Sequence, residues 1–587
     1  MLVYGDTART DDPRVWLARI ADLCAEAAAG PPGLARHSRL VAALIAAGEL
    51  GQGLADAAFA EQDADDLPTA GAQAVTELLL ALARAVTESW DHGLRGDAPS
   101  PSALLAAVER APLPGRITGK RAEGFAFYAL YPEAYAAAAR ASGLGPGTRV
   151  VGIRSIGLPL AAMSAASLGA PPPVTVRPVG HPFDRRLRVT PALDDGLCGG
   201  IAGDVAIVDE GPGLSGSSFG AVADHLEARG VPPDRLVFFP GHGGEPGPRA
   251  QPRHRARWAA TRRVVTGFDD LILHAREPAR RLETWVAGLV GPLDGPLEDV
   301  SGGAWRAHLA GPPAAWPPVH AQQERRKFLA RARGETWLVK FAGLGAAGDD
   351  ALALAERLHA AGFTPPVAGL AHGFVVERWL GEARPLSSGA HDPLRLAEVV
   401  GRYLAFRATA FPVEPGRGAT LADLVAMARH NGATALGAEA AGRFDAWDEA
   451  RLARLAALVR PVRIDGRLQP WEWLLLPDGS LRKADALDHH AGHDLVGCQD
   501  VAWDVAGALV ELDLPPAAGA RLVRVMEREG VTPDPDLLGL LIPCYLAFRL
   551  GACTLAAQSG TPDDAAWQRG AASSYAARLD RLLRDLR

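Results

Sequence analysis

Residues 204–219 read DVAIVDEGPGLSGSSF, and their order decides the fold of the first half of the chain. Four apolar residues in a row, Val205 to Val208, suit a strand buried on both faces, as in a parallel sheet. Two acids follow at once, Asp209 and Glu210. A glycine-rich turn comes next, with Gly211, Gly213 and Gly216, and Ser215, Ser217 and Ser218 lead into helical sequence. Strand, turn and helix in that order place the acids at the carboxyl end of a parallel strand, where open α/β sheets bind ligands. The N–H groups of the turn and of the helix start can cradle a phosphate. Carboxylates that accept bonds from ribose hydroxyls, set beside amides that bind phosphate, suit a sugar phosphate. The run lacks Gly-Lys-Ser/Thr, so it is not a Walker loop, and its acids precede its glycines, so it is not a dinucleotide fingerprint.

The α/β pattern extends from about residue 113 to 245. The runs RVVGIR (149–154), VTVRP (174–178) and RLVFFP (235–240) alternate with helical stretches such as SSFGAVADHLEARG (217–230). This predicts a doubly wound parallel sheet. Residues 1–112 read as a helical segment without evident chemistry, and 246–315 as a connector rich in Arg, Pro and Gly. From 316 to 587 the pattern changes again. ETWLVKFAG (335–343) reads as a strand, DDALALAERLHAAG (349–362) as a helix and GFVVERWL (373–380) as a strand. A long helical remainder is broken by a hairpin around Pro-Asp-Gly in WEWLLLPDGSLRKADAL (471–487). The fold class is therefore multidomain α/β and α+β. Four segments agree with a 587-residue chain, for which roughly 100–200 residues per domain predicts about three to five.

Composition narrows the function. With 48% hydrophobic and 22% charged residues the chain is globular. A net charge of −7 gives no global basic field for nucleic acid or a membrane surface. The five cysteines form no CxxC pair, and no signal peptide is evident, so the expected location is the cytoplasm. Leu537 to Ala557 is apolar but contains Arg549 and Pro543, which predicts a buried helix and not a membrane span. The abundance of Ala, Gly, Pro and Arg matches proteins of GC-rich bacterial genomes. Only four lysines occur (Lys120, Lys327, Lys340, Lys483) against 57 arginines. A lysine kept in such a chain tends to stand where a compact ammonium is needed.

On the acid–glycine run, the segment 113–245 resembles the type I phosphoribosyltransferases, whose motif is an apolar strand, two acids, a short loop and Thr-Thr-Gly-x-Thr. Asp209 and Glu210 match the acids, and Leu214 to Ser218 the phosphate loop. Here the second acid is Glu where Asp is commoner, and the loop is one residue longer. The resemblance implies that Asp209 and Glu210 hold the ribose hydroxyls. It gives the 5′-phosphate to Gly213, Ser215, Gly216, Ser217 and Ser218, and the pyrophosphate to Arg154, Ser155 and Gly157. Arg185, within the basic stretch 177–186, closes over the pyrophosphate, and Mg2+ neutralises its charge. A generic doubly wound domain whose glycines only make a turn, or a member that binds without catalysing, is the alternative.

The last 270 or so residues resemble the aminoglycoside-phosphotransferase branch of the protein-kinase-like fold, a bilobal domain. Lys340 in Val339-Lys340-Phe341 matches the phosphate-binding lysine, with Glu356 as its ion-pair partner, and Glu377-Arg378-Trp379 matches the hinge at the adenine. The family's catalytic loop, His-Gly-Asp-Leu-His-Pro-Gly-Asn, is matched by Asp465-Gly466-Arg467-Leu468-Gln469-Pro470-Trp471-Glu472, and its metal-binding Asp by Asp485. Arg467 stands in the place of the base and cannot accept a hydroxyl proton. Glu472 replaces the metal-binding Asn and can still ligate Mg2+ beside Asp485. His489, His490, His493 and Asp494 form a run that reads as loop sequence more readily than as a metal cluster. Together the two resemblances imply a protein that binds phosphoribosyl pyrophosphate or a nucleotide in one head, and ATP in the other. The readings are a phosphoribosyl transferase, a regulatory or scaffold protein with two sensing pseudoenzyme heads, or an atypical ATP-dependent small-molecule kinase.

Overall fold

The computed structural model describes residues 8–61, 65–98, 100–201, 203–309, 316–386, 391–492 and 495–585. His493 and Asp494 lie outside the described residues. The architecture is mixed α/β.

Five strands form a fully parallel sheet in the spatial order Val174–Val176, Arg149–Ile153, Val205–Val208, Leu236–Phe239, Arg262–Arg263. Numbered along the chain, this is the order 2-1-3-4-5. Such a sheet reverses its winding between strands 1 and 3 and opens a crevice at their carboxyl ends. Val205–Val208 is buried at every position, as its unbroken apolar run requires. Helices Gly157–Leu168 and Ser217–Ala228 follow strands 1 and 3. Gly157 fits tightly there, since a Cβ would come within 2.5 Å of the Val208 carbonyl oxygen.

The N-terminal segment supplies helices Pro13–Ala29, Leu34–Glu61, Ala70–Asp91 and Ser102–Arg110. They are not a separate body. One hydrophobic core runs from Leu17 through Leu79, Leu160 and Trp285 to Val376. The segment 246–315 contributes to it as well. It provides the last strand of the parallel sheet and the core residues Leu282, Trp285 and Val286.

A second sheet of five antiparallel strands has the order Glu298–Asp299, Lys327–Ala332, Glu335–Phe341, Phe374–Arg378, Val367–Ala371. Helix Ala346–Ala360 packs on it. The remainder is helical around a second core that includes Tyr403, Trp503 and Tyr545. It is broken by the hairpin Trp473–Leu475 with Leu481–Lys483. Among the described residues, two helices are long and apolar enough to cross a membrane, Leu34–Phe59 and Pro535–Ala556. In them 78% and 67% of the apolar window is buried inside the protein. In the second, Arg549 is ion-paired with Glu511 at 3.2 Å.

Candidate functional site

Two concave sites stand out, one on each sheet. The first is a cavity of about 1100 Å³ at the carboxyl ends of strands 1 and 3 of the parallel sheet. Ser155, Arg185, Asp209, Glu210, Gly213, Ser215 and Ser218 all line it, and so do Lys120 and Arg121. The Asp209 carboxylate accepts the Glu210 N–H at 2.8 Å. Burial, reinforced by the neighbouring Glu210 charge, pushes the Asp209 carboxyl up to about 8. The turn winds through Gly213 and Gly216, both at positive φ, into helix Ser217–Ala228. Among the described residues, the N–H groups of Gly213, Leu214 and Ser215 donate to no protein acceptor. Acids thus face a turn with amides to spare.

Four residues assigned to this site from the sequence do other work. Arg154 is buried, and its guanidinium is held by Asp56 at 3.0 Å and Asp66 at 2.7 Å. It faces the N-terminal helices and not the cavity. Ser217 is fully buried and donates to the Pro182 carbonyl at 2.7 Å. Gly157 serves the close packing of its helix on strand 3. Gly216 shapes the turn, its N–H donating to the Pro212 carbonyl at 2.8 Å. Arg185 reaches the turn from the hairpin Val179–His181/Asp184–Arg186 and donates to the Ser218 hydroxyl at 2.7 Å.

The second site is a cleft between the antiparallel sheet and the helical half. Lys340, Glu377, Trp379, Arg467, Glu472 and Asp485 line one cavity there, of about 150 Å³. Lys340 lies on the same sheet face as Leu338, and Glu377 is the strand partner of Leu338. The Lys340 ammonium donates to Asp485, 145 residues away, and lies 3.8 Å from Asp488. Burial pushes the Glu377 carboxyl up to about 7 against the pull of Lys340. Burial opposes ionisation of Asp485 too, but Lys340 and His489 hold its carboxyl well below the usual range.

The ion pair expected between Lys340 and Glu356 is absent. Helix Ala346–Ala360 buries Ala351, Leu354, Ala355 and Leu358 and turns Glu356 outward, exposed. The carboxylates that meet Lys340 are Asp485 and Asp488. Asp488 was not singled out by the sequence. With His489 it forms the tight cluster around Asp485, all three ligand atoms within 4.8 Å of one another. Glu472 lines the wall but stands outside that cluster, 3.9 Å from Lys483. His489 Nδ1 faces the Asp465 carbonyl at 3.1 Å, leaving Nε2 toward the two aspartates. Two carboxylates offer the oxygen ligands that Mg2+ prefers, and the Lys340 ammonium lies against them as a cation would.

The loop 465–472 is held from behind. Asp504 accepts the N–H groups of Asp465 at 2.7 Å and Gly466 at 2.9 Å. Asp465 is fully buried, accepts the Tyr403 hydroxyl and lies 3.4 Å from Lys483. Arg467 projects into the cleft, and its guanidinium donates to the Gln323 amide oxygen.

No family model and no curated protein matches the chain. Solved structures do match. The choline kinase LicA from Streptococcus pneumoniae is 15% identical, over 43% of this chain and 89% of that one, with a TM-score of 0.31. A macrolide 2′-phosphotransferase, MphH from Brachybacterium faecium, is 19% identical, over 43% and 88%, at 0.29. A choline/ethanolamine kinase family protein from Mesorhizobium loti is 20% identical, over 48% and 93%, at 0.29. None of the three is a phosphoribosyltransferase. Likeness this remote assigns neither substrate nor activity.

Proposed function

We propose that this chain is a kinase-like transferase that binds a magnesium nucleotide in the cleft of its C-terminal half. The observation that carries the reading is the convergence of Lys340, Asp485 and Asp488, brought together from distant parts of the sequence onto a strand, a loop and a wall of apolar and aromatic residues. In this reading Lys340 contacts the nucleotide phosphates. Glu377 and Trp379 line the nucleoside end. Asp485 and Asp488 hold the metal, with Glu472 beside them. A bound Mg2+ would neutralise phosphate charge as it builds during transfer. Because Lys340 occupies the carboxylates in the free protein, metal and lysine compete, and nucleotide binding moves the ammonium from Asp485 to the phosphates.

Calorimetric titration with Mg2+ and ATP tests this. Binding is expected, and Lys340→Ala is expected to weaken it about tenfold or more through loss of a charge-assisted contact. The same substitution should make Mg2+ alone raise the melting temperature more than it does in the parent, since the acids have lost their internal cation. Absence of nucleotide binding would sink the reading.

A second reading concerns the parallel-sheet cavity, which we propose takes a sugar phosphate such as ribose 5-phosphate or phosphoribosyl pyrophosphate. It is favoured by the two acids facing a turn with undonated N–H groups at the crevice of a 2-1-3-4-5 sheet. Asp209→Asn combined with Glu210→Gln should abolish that binding and leave the nucleotide titration unchanged. Equal affinity in the double variant would remove the argument.

A further inference from the structure

Four cations line the inner cleft: Arg325, Lys327, Lys340 and Arg467. Three are neutralised by carboxylates. Arg325 pairs with Asp488 at 2.7 Å, Lys327 with Glu324 at 3.0 Å, and Lys340 with Asp485. Among the described residues, Arg467 has no carboxylate within ion-pair distance, and its guanidinium meets a neutral amide. It is half-buried beside the metal-binding candidates, on the loop that would present an acceptor. Of the two acids of that loop, Glu472 faces Lys483 at 3.9 Å, and Asp465 is fully buried and committed to the Tyr403 hydroxyl and the Arg467 N–H. Asp465 cannot turn outward without depriving the buried Lys483 and Arg407 of a counter-charge.

A guanidinium stays protonated and presents a planar fork of donors that matches a phosphate or carboxylate. That chemistry is wrong for a neutral alcohol, which must lose a proton as it attacks, and right for an oxygen already anionic. A phosphate monoester has its second pKa near 6 and needs no base at neutral pH. What hinders its attack is repulsion between two phosphoryl groups, and a fixed cation between them reduces it.

Resting on the kinase-like reading above, we infer that the phosphoryl acceptor of this cleft is the phosphate of a small phosphate monoester and not a hydroxyl group. An anionic oxygen of the acceptor attacks the γ-phosphorus of ATP. A new P–O–P linkage forms, the bond from the γ-phosphorus to the β–γ bridging oxygen breaks, and ADP leaves with that electron pair. No proton passes to the protein. The neighbouring cavity fits this class. It meets the cleft at Tyr128, which lines both. Phe127 stacks under Arg325 at 4.3 Å, and Phe268 of the cavity wall under Arg326 at 4.9 Å. One wall therefore separates the cleft from the cavity that suits a sugar phosphate.

The test uses the full chain with Mg2+ and ATP. Ribose 5-phosphate and glycerol 3-phosphate are compared with ribose and glycerol, reading ADP release, and reading acceptor affinity by calorimetry with a non-hydrolysable ATP analogue. The phosphorylated acceptors should be preferred by about tenfold or more. Arg467→Gln should weaken their binding by a similar factor, and Arg467→Lys should restore part of it. Equal or better use of the alcohols would overturn the inference, as would Arg467→Gln leaving acceptor affinity unchanged. If nucleotide does not bind at all, the kinase-like reading fails. If nucleotide binds and the phosphate preference is missing, only this inference fails.

Discussion

Asp209 and Asp485 both follow a short strand, and the protein treats them in opposite ways. Asp209 is buried beside a second acid, Glu210, and its carboxyl is pushed up to about 8. Asp485 has an ammonium against it and a histidine 3.6 Å away, and its carboxyl is held low. An acid that stays protonated near neutral pH can both donate to and accept from a sugar hydroxyl. An acid kept ionised by an internal cation is ready to exchange that cation for a metal. The two sites are thus set for different ligands by their charge partners, although both are built from carboxylates at strand ends.

The sharpest way to break this contrast is Arg154. If it belonged to the cavity, its removal would cost anion binding and little stability. The structure commits it to Asp56 and to Asp66, whose side chain is 1% exposed. Arg154→Ala should therefore leave a buried charge without its partner and cost about 3–5 kcal/mol, read as a lowered urea midpoint. Stability within error of the parent, with weakened phosphate binding, would return Arg154 to the cavity and blur the contrast.

A milder effect follows from the Asp209 proton. A carboxyl raised in the folded state binds a proton that the unfolded chain has already released above its ordinary value near 4. Stability from this group is present at low pH and falls as pH rises toward about 8. The loss should be of order 2 kcal/mol, because contact with cavity water reduces the full linkage value. Urea midpoints at about pH 6 and about pH 9 should differ accordingly, and Asp209→Asn should flatten the difference. An unchanged slope in that variant would mean that Asp209 is ionised throughout, as Asp485 is.

Local order in the chain was enough to locate the strand–acid–turn run at 204–219, because every part of that site is contiguous. The kinase-like resemblance brought Lys340 and Asp485 to one cleft, but it gave the ion pair to Glu356, whereas the lysine meets Asp485. The fate of Arg154 was not legible. Its partners, Asp56 and Asp66, lie in and just after a helix that reads as packing alone, and only the tertiary fold brings them under strand 1. Nor does the sequence reveal that the N-terminal helices, the parallel sheet and the antiparallel sheet share one core, because an apolar stripe does not name the surface it covers. Asp488 and His489 had a weaker signal, lying three and four residues after Asp485 in a loop without periodicity.

The smallest expected effect belongs to Glu356, and it tests whether the cleft keeps its arrangement when filled. The helix Ala346–Ala360 buries positions 351, 354, 355 and 358, a spacing that puts 356 on the opposite side. The exposed carboxylate has no ion pair among the described residues, and burial of the other face fixes the helix in rotation. Glu356→Gln should then change stability by no more than about 0.5 kcal/mol and leave magnesium-nucleotide affinity where it was. A loss of about tenfold would mean that the helix rotates on binding and that Glu356 takes Lys340 from Asp485. In that case the lysine of the filled cleft would be held from the helix, the two aspartates would be left wholly to the metal, and Asp485 in the free protein would describe only the resting half of the cycle.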